Sequence, residues 1–401
     1  MTYIQGDPSL YDINWSTDKI QAFRQTLLAW YDETKRDLPW RNTNDPYKIW
    51  VSEIMLQQTQ VATVIPYYER FIETLPTIQA LANAEEETLL NLWQGLGYYS
   101  RVRNMQIAAQ QIVADYAGAM PQTMKGLLSL KGIGPYTAAA IGSIAFGLVE
   151  PAIDGNLMRV TARLFELDAD ISQPKSRKLF AAILYQLIDA ERPGDFNQAL
   201  MDMGATIMTP ANLNPEASPI KEFDRSYQNG TAHLYPVKKK KVKATEHQLI
   251  AYVVQNLQGE WLIRKHDEQE LLTGLWHFPL LEQSVVMEAV SEEELIEPFS
   301  DWWAEQNSLL NDYAFETEPS ITINQQLMPF GDLSTLTLLP KVKHVFSHRV
   351  WHVQLVPLMM KIDQAGLQEN ENMRWQSPKQ IRDLPVSTLQ QKLLKALESY
   401  L

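Results

Sequence analysis

The chain has 401 residues, of which 45% are hydrophobic, so it can form two or three domains with sizeable cores. It contains no cysteine, which excludes disulfides, thiol nucleophiles and cysteine-ligated metals. The net charge of -13 argues against a nucleic-acid partner, but residues 281–320 carry 11 acidic side chains and no Lys or Arg, so DNA binding by the rest stays open.

Residues 18–225 have the pattern of consecutive amphipathic helices, separated by short segments rich in Pro, Gly and Asn. The polar and then basic stretch DRSYQNGTAHLYPVKKKKVK follows and is typical of a connector between domains. Its lysine run could also be a nuclear import signal, although a charged linker fits it better. β-rich segments such as HQLIAYVVQN then predict an α+β domain. We therefore predict a helical domain over residues 1–225, a basic connector over 226–244 and an α+β domain over 245–401.

The stretch VSEIMLQQTQV places Glu53 on the apolar face of a predicted helix. The apolar residues of this face recur at intervals of three and four, at Ile49, Trp50, Ile54, Leu56, Val61 and Ile65. A carboxylate on such a face would lose its hydration without gaining an obvious partner. The position of Glu53 therefore calls for a chemical role.

Gly132 and Gly134 in LKGIGPYTAAAIGSIAF predict a tight turn immediately before an Ala-rich helix. Such a turn directs free backbone N–H groups towards one point and suits a phosphate. Taken alone, the turn fits an ordinary connection between helices better. The surrounding residues 125–163 nevertheless carry a local charge of +2.

Asp154 stands before Gly155 and Asn156 in VEPAIDGNLMRV, a pattern that by itself is typical of a turn or a helix cap. Together, however, LQQTQV, GLGYYSR, GIGPYTA and IDGN resemble the helix-hairpin-helix superfamily of DNA glycosylases over about residues 18–225. Within it, LPWR, DPYKIWVSEIMLQQTQVATVIPYYERF, GLGYYSRVRN and FNQALMDMGA are similar to adenine-DNA glycosylases of the MutY type, almost word for word. The resemblance implies an all-α glycosylase domain followed by a Nudix-like α+β domain.

The resemblance also implies a reaction, the removal of adenine mispaired with 8-oxoguanine or guanine in double-stranded DNA. Glu53 matches the general acid, and an apolar pocket would keep its carboxyl protonated, ready to give a proton to adenine N7. Asp154 matches the ionised carboxylate that stabilises the oxocarbenium-like sugar. Asn156 and Tyr136 match residues that hold Asp154 and the sugar in register.

Further residues match family positions that contact the flipped-out base or the lesion. Gln58 and Tyr98 match wedge residues that fill the space left by the adenine. The pocket for the adenine is implied to contain Arg36, Trp40, Arg41 and Gln198, and Leu96 and Thr59 are implied to lie near the oxidised guanine. Taken alone, each of these residues is explained as a packed or surface side chain, and only their joint placement favours a functional role.

Tyr136 bears on the type of glycosylase. In relatives that resemble endonuclease III, the position two after the second hairpin glycine is a Lys that forms a Schiff base and allows strand cleavage. Because a Tyr stands there, we predict a monofunctional glycosylase. Two alternatives are an endonuclease III-like glycosylase/lyase and a non-catalytic lesion-binding protein, and the presence of both Glu53 and Asp154 disfavours the second.

The chain departs from the family in one segment. Most members carry four cysteines, spaced C-x₆-C-x₂-C-x₅-C, that hold a [4Fe–4S] cluster. In MTPANLNPEASPIKEFD the four places fall on Met208, Pro215, Ser218 and Asp224. We predict no cluster and no other cofactor or metal. Three prolines and two apolar anchors are predicted to shape the loop instead, namely Pro210, Pro215, Pro219, Ile220 and Phe223.

LLTGLWHFPL and VFSHRVWHVQL resemble the C-terminal domain of the same family, which is Nudix-like and reads 8-oxoguanine. Its lesion-reading turn would consist of Phe346, Ser347 and His348. A Nudix hydrolase needs the pattern Arg-Glu-x-x-Glu-Glu after a Gly, and GLWHFPLLEQSVVMEAV, which begins at Gly274, lacks it. A recognition module is therefore favoured over a nucleotide pyrophosphatase.

The sequence also predicts the location and the partners of the protein. It has neither an apolar segment of membrane-spanning length nor an N-terminal signal. We expect a cytoplasmic protein that associates with DNA in the nucleoid, acts as a monomer and does not bind a membrane.

Overall fold

The computed structural model describes residues 10–239, 244–267, 270–283, 292–311, 327–329, 341–346, 348–360 and 372–398. It contains two compact units. One takes in Met1–Glu85 and Ser100–Lys241, and the other takes in Glu86–Tyr99 and Val242–Leu401. The first unit thus reaches beyond residue 225, where the sequence placed the end of the helical domain.

The first unit is built from α-helices and short 3-10 helices. The α-helices up to residue 228 are α1 (Thr17–Thr34), α2 (Pro46–Leu56), α3 (Val61–Thr74), α4 (Ile78–Ala82), α5 (Glu86–Leu92, in the second unit), α6 (Ser100–Asp115), α7 (Met124–Ser129), α8 (Pro135–Phe146), α9 (Gly155–Phe165), α10 (Arg177–Leu187), α11 (Pro193–Thr206) and α12 (Arg225–Gln228). Local signals start many of them. Ser16, Thr77 and Thr123 accept N–H bonds as N-caps, and α2, α8 and α11 begin with proline.

The core of the first unit lies between α1, α8, α9, α10 and α11. Phe23 of α1, Phe180 of α10 and Phe196 of α11 are fully buried there. Each such side chain contributes about 1.5–3 kcal/mol through its removal from water. This core supports the segment between α8 and α9, which contains Asp154.

The predicted turn before the Ala-rich helix is the connection between α7 and α8. Gly132 has φ of 77°, and a Cβ atom there would lie 2.7 Å from the Cβ of Asn104, so only glycine fits. Gly134 is the N-cap of α8 with φ of -92°, which other residues can also adopt. Gly132 is therefore required by a close approach of the main chain to Asn104, whereas Gly134 serves as a helix cap.

The loop between Met208 and Asp224 does not fit an iron–sulfur cluster. Met208 is fully buried in the core and forms an isolated bridge with Leu213. Asp224 is fully buried and caps α12 by accepting from the N–H of Tyr227 at 3.1 Å. Neither these two residues nor the other two at the family's ligand positions can supply a thiolate.

Apolar packing and arginine side chains hold this loop. Ile220 is fully buried, and the ring of Phe223 lies 5.5 Å from that of Phe23. The main-chain oxygen of Met208 accepts from Arg159 Nε at 2.8 Å and from Arg163 Nη1 at 2.9 Å. The loop is therefore attached to α9, which carries both arginines.

Residues 226–239, predicted as part of the connector, pack on the helical unit instead. Arg163 Nε donates to the main-chain oxygen of Ala232 at 3.2 Å, and the N–H of Ile171 donates to that of Val237 at 3.1 Å. The predicted boundary fell too early because these contacts join residues that are far apart in sequence. The remaining basic residues 240–243 lie outside the described part of the chain.

The second unit contains a mixed sheet, as the α+β prediction requires, and the predicted fold class is confirmed. Its strands are β1 (Thr245–Gln255), β2 (Trp261–Lys265), β3 (Trp276–His277), β4 (Leu280–Gln283), β5 (Leu327–Pro329), β6 (Val342–Val345), β7 (Arg349–Met360) and β8 (Met373–Gln376), with helices α13 (Glu292–Asn311), α14 (Pro378–Asp383) and α15 (Thr388–Glu398). The central order is β3-β2-β1-β7-β5, with β4 beside β1, β6 beside β7 and β8 beside β2. β1 and β7 run parallel from Thr245 opposite Arg349 to Gln255 opposite Met359.

The segment 86–99, predicted within the helical domain, groups with the second unit. The side-chain amide of Asn91 donates to the main-chain oxygen of Asp383 at 3.4 Å, and the Tyr99 hydroxyl donates to that of Val386 at 3.5 Å. Among the residues that the structure describes, no helix is both long and apolar enough to cross a membrane.

The packing of the loop predicts that Ile220→Ala destabilises the first unit. A buried Ile→Ala change costs roughly 2–5 kcal/mol because it removes apolar contacts and leaves a cavity. Urea denaturation followed by tryptophan fluorescence measures the change. The exposed Glu222→Ala, two residues away, is the control and should stay within about 0.5 kcal/mol of the parent. Equal stability of the two variants would show that the loop does not depend on this anchor.

Candidate active site

A cleft of about 930 Å³ opens in the first unit. The predicted site residues that line it are Arg36, Trp40, Arg41, Glu53, Gln58, Thr59, Gly132, Gly134, Tyr136, Asp154, Asn156 and Gln198. They come from the α1–α2 connection, from α2 and its following turn, from the α7–α8 connection and the start of α8, from the start of α9 and from α11. The fold thus brings together residues that are up to 162 positions apart in the chain.

Glu53 lies on the inner face of α2 and is 6% exposed. The Tyr136 hydroxyl, at the start of α8, donates to Glu53 Oε2 at 2.5 Å. Burial raises the pKa of Glu53, and the Tyr136 hydrogen bond and the charge of Arg41 oppose part of that rise. The net effect holds a larger fraction of this carboxyl protonated near neutral pH, so Glu53 can act as an acid.

Asp154 is the N-cap of α9, and its surroundings differ from those of Glu53. Its Oδ1 accepts from the main-chain N–H groups of Asn156 and Leu157, both at 2.8 Å, and its Oδ2 accepts from the side-chain amide of Asn156 at 2.7 Å. Burial raises the pKa of Asp154, and these donors and the charge of Arg159 offset only part of that rise. All three hydrogen bonds favour the ionised form.

Arg159 is a functional candidate that the sequence did not single out for the site. Its Nη2 donates to Asn156 Oδ1 at 2.6 Å, which leaves the Asn156 amide nitrogen facing Asp154. The same nitrogen of Arg159 donates to the main-chain oxygen of Gly204 at 3.2 Å. A Cβ atom on Gly204 would lie 2.7 Å from the Cβ of Asn156, so glycine is needed for this contact. Arg159 therefore orients the residue that holds Asp154.

Asp202 is a second residue that the sequence analysis missed. This carboxylate on α11 is 2% exposed, and its Oδ1 accepts from Arg36 Nη2 at 2.6 Å and from Arg41 Nη2 at 2.9 Å. Arg41 also donates to the Tyr31 hydroxyl at 2.7 Å. The two predicted pocket arginines are thus held by one buried charge. The signal for Asp202 in the sequence was an acidic residue placed between the apolar residues of α11.

The turn after α2 carries Gln58 and Thr59. Gln58 has φ of 60°, an uncommon backbone conformation for a residue other than glycine. Arg101 Nη1 donates to the main-chain oxygens of Ile54 at 2.8 Å and Gln57 at 2.5 Å. These bonds satisfy main-chain oxygens at the end of α2 and hold the start of the turn in place.

The remaining predicted residues belong to the second unit. Leu96 is buried, and Tyr98 is 46% exposed with φ of 49°. The ring of Phe346 lies 4.8 Å from that of Trp351, and the main-chain oxygen of His348 accepts from the N–H of Thr245 at 3.0 Å. Ser347 of the predicted lesion-reading turn lies outside the described residues. Their role stays a prediction.

The segment after Gly274 bears on the Nudix alternative. Residues 275–283 contain β3 and β4, and within those described residues no helix follows the glycine. Groups of His, Asp or Glu that could hold a metal ion are absent from the described parts of the chain. The recognition-module interpretation of this domain stays a prediction.

Chemically, two of the carboxyl groups that line the cleft, Glu53 and Asp154, lie in unlike surroundings. Glu53 is buried and receives one hydroxyl hydrogen bond, whereas Asp154 receives three N–H donors. Two such groups can divide acid catalysis and charge stabilisation between them, as glycosidic bond cleavage requires.

Comparisons with known proteins identify the family of both domains. Residues 51–186 match the model of the HhH-GPD superfamily base excision DNA repair proteins, and residues 250–396 match that of the NUDIX domain. The chain is 44% identical to the adenine DNA glycosylase of Mus musculus over 234 residues, which are 56% of this chain and 45% of that protein. It thus spans under half the length of that relative.

Two other relatives match over more of their length. The adenine DNA glycosylase of Rattus norvegicus is 33% identical over 95% of this chain and 79% of that protein. The adenine DNA glycosylase of Buchnera aphidicola subsp. Acyrthosiphon pisum is 29% identical over 93% of this chain and 97% of that protein. Because both domains and most of the chain align, this protein belongs to the adenine DNA glycosylase family.

Proposed function

We propose that the chain is a monofunctional adenine DNA glycosylase that excises adenine opposite 8-oxoguanine or guanine in double-stranded DNA. The observation that carries the proposal is the buried Glu53, hydrogen-bonded by Tyr136, in the same cleft as Asp154. Family membership supports the choice of adenine as the excised base.

In this mechanism Glu53 gives its proton to N7 of the flipped-out adenine. Tyr136 donates to Oε2, which leaves Oε1 as the oxygen that carries the proton. The bond between N9 and C1′ then breaks, and its electron pair leaves with the neutral adenine. Asp154 stabilises the positive charge that develops on the sugar.

Water completes the reaction. It adds to C1′ of the sugar cation, and its proton passes to a carboxylate of the cleft, so that an abasic sugar remains. Asn156 and Arg159 keep Asp154 in place during this step. A covalent route through an amine is disfavoured, because none of the described residues that line the cleft is a lysine.

The general-acid role predicts that Glu53→Gln lowers excision by roughly 100- to 10,000-fold, because an amide of similar shape has no proton to give. Binding to the duplex should change little. Single-turnover release of free adenine from a duplex with adenine opposite 8-oxoguanine measures the rate. Glu69→Gln, the same substitution at an exposed site on α3, is the control.

Excision by Glu53→Gln within tenfold of the parent would remove this residue from the acid role. Release of no adenine by the parent protein, despite tight binding, would favour the lesion-binding alternative. Borohydride trapping of a covalent adduct with DNA would favour the lyase.

A second prediction concerns pH. The Tyr136 hydrogen bond lowers the pKa of Glu53, so its removal in Tyr136→Phe should raise that pKa further. Since only protonated Glu53 gives a proton, the rate falls as pH rises through this pKa, and the variant should retain its rate to higher pH. Single-turnover rates across the acidic to mildly alkaline range test this. Tyr116→Phe, whose hydroxyl contacts Ser129, is the control. If the rate of Tyr136→Phe fell at a lower pH than that of the parent, the assignment of Glu53 as the acid would be contradicted.

We also propose that the chain works without a metal. The chain has no cysteine, and two of the four positions of the cluster ligands are taken by the buried residues Met208 and Asp224. Freshly purified protein should therefore contain no stoichiometric iron by elemental analysis, and EDTA should leave adenine release unchanged. Bound iron at one equivalent or more, or inactivation by the chelator, would overturn this proposal.

A further inference from the structure

The wall of the cleft beside Asp154 carries a cation that the mechanism does not use. Pro174 and Arg177, at the start of α10, line the cleft. Arg177 Nη1 donates to the main-chain oxygen of Ile153 at 3.1 Å. Ile153 directly precedes Asp154, so this guanidinium is attached to the segment that presents the catalytic carboxylate.

The charge of Arg177 is not paired with a carboxylate of the described residues. Among the described residues, ion pairs within 4 Å involve neither Arg177 nor its exposed neighbours Lys175 and Lys178. Arg36 and Arg41, which also line the cleft, are by contrast held by Asp202. The positive charge at α10 is therefore available to a ligand.

A second basic segment reaches the same surface from a distant part of the chain. The N–H of Ile171 donates to the main-chain oxygen of Val237 at 3.1 Å. Lys238 and Lys239 follow directly and are exposed. Since consecutive Cα atoms are about 3.8 Å apart, these lysines lie close to the loop that leads to Lys175.

Three carboxylates belong to the same region and reduce its charge. Glu166 accepts from Asn229 and Thr231, and Asp170 accepts from Ser172 Oγ at 2.6 Å. The third, Asp168, is exposed. The five cations exceed these three carboxylates by two, in a chain whose net charge is -13. Glu150 and Asp154, which line the same cleft as Arg177, are acidic groups of the site itself and are not part of this count. Apart from those two, the surface is thus positive where the protein as a whole is negative.

We propose that a basic strip, formed by Lys175, Arg177, Lys178, Lys238 and Lys239, binds backbone phosphates of the DNA strand that carries the adenine. Arg177 would contact a phosphate next to the nucleotide whose sugar meets the catalytic carboxylate. The phosphates of a nucleotide are attached to its own sugar, so a cation fixed one residue from that carboxylate is placed to meet one of them. A guanidinium suits this contact because it can bind two phosphate oxygens at once.

This inference rests on the proposed function, since it takes DNA as the substrate. It specifies which DNA strand is bound and which surface of the protein binds it. Contacts to phosphates position a duplex without reading its sequence. The strip should therefore contribute equally to lesion-containing and fully paired DNA.

Salt dependence of binding tests the strip in the full-length chain. Fluorescence anisotropy in the Glu53→Gln background gives the dissociation constant at several salt concentrations without turnover. Removal of one cation that binds a phosphate should reduce the slope of log K against log salt by about 0.9. We expect a reduction of about 0.9 for Arg177→Ala, and of up to about 1.8 for each of the double variants Lys175→Ala/Lys178→Ala and Lys238→Ala/Lys239→Ala, on both duplexes alike.

Three further variants test whether the effect depends on the charge and the position of these residues. Arg177→Lys keeps the charge and should keep most of the slope. Arg225→Ala removes an exposed charge of the same unit outside the cleft and should leave the slope unchanged. Asp168→Asn removes a repulsive carboxylate from the edge of the strip and should tighten binding.

Two results would overturn the proposal. One is an unchanged salt slope in Arg177→Ala and both double variants. The other is a loss of affinity confined to the lesion-containing duplex, which would indicate base reading. Adenine release by the chain with Glu53 intact is measured separately, so normal excision with unchanged slopes refutes only the strip. Reduced slopes without any excision would refute only the glycosylase assignment.

Discussion

The close approach of α11 to α8 and α9 is the constraint on which the site depends. A Cβ atom on Gly194 would lie 2.8 Å from the Cα of Ile144, so α11 touches the main chain of α8. The side chain of Asn197 then accepts from the N–H of Ala152 at 3.0 Å and donates to the main-chain oxygen of Glu150 at 2.8 Å. One helix thus fixes the segment that leads to Asp154, and a larger residue at its start would displace it.

The two carboxyl groups have different surroundings because they lie at different places in this framework. Burial raises the pKa of both Glu53 and Asp154. Asp154 sits at a helix N-terminus, where N–H donors and the helix dipole favour a negative charge. Glu53 lies in the middle of α2, where the N–H groups are already used within the helix, and Tyr136 is its one side-chain donor among the described residues. Position along a helix therefore gives the two carboxyl groups different hydrogen-bond donors.

The cysteine-free loop uses the same helix α9 that Asp154 caps. Arg159 and Arg163 both donate to the main-chain oxygen of Met208. Arg163 is 3% exposed, and burial lowers its pKa to about 10. A buried cation is costly unless its donors are satisfied, so loss of the Met208 contact would disturb α9 as well as the loop. Loop stability and the position of Asp154 are physically coupled.

The features that the sequence predicted are those with a local pattern: the apolar stripe around Glu53, the cap at Asp154, the hairpin glycines and the β-rich second domain. The grouping of residues 86–99 with the second unit had no local signal, because it depends on contacts nearly 300 positions apart in the chain. The main-chain contacts of Arg101, Arg159 and Arg177 were missed for another reason. Each donates to a main-chain oxygen, of Gln57, Met208 and Ile153 respectively. Every residue carries the same carbonyl group, so no side-chain pattern can mark such an acceptor, and only the folded chain identifies it.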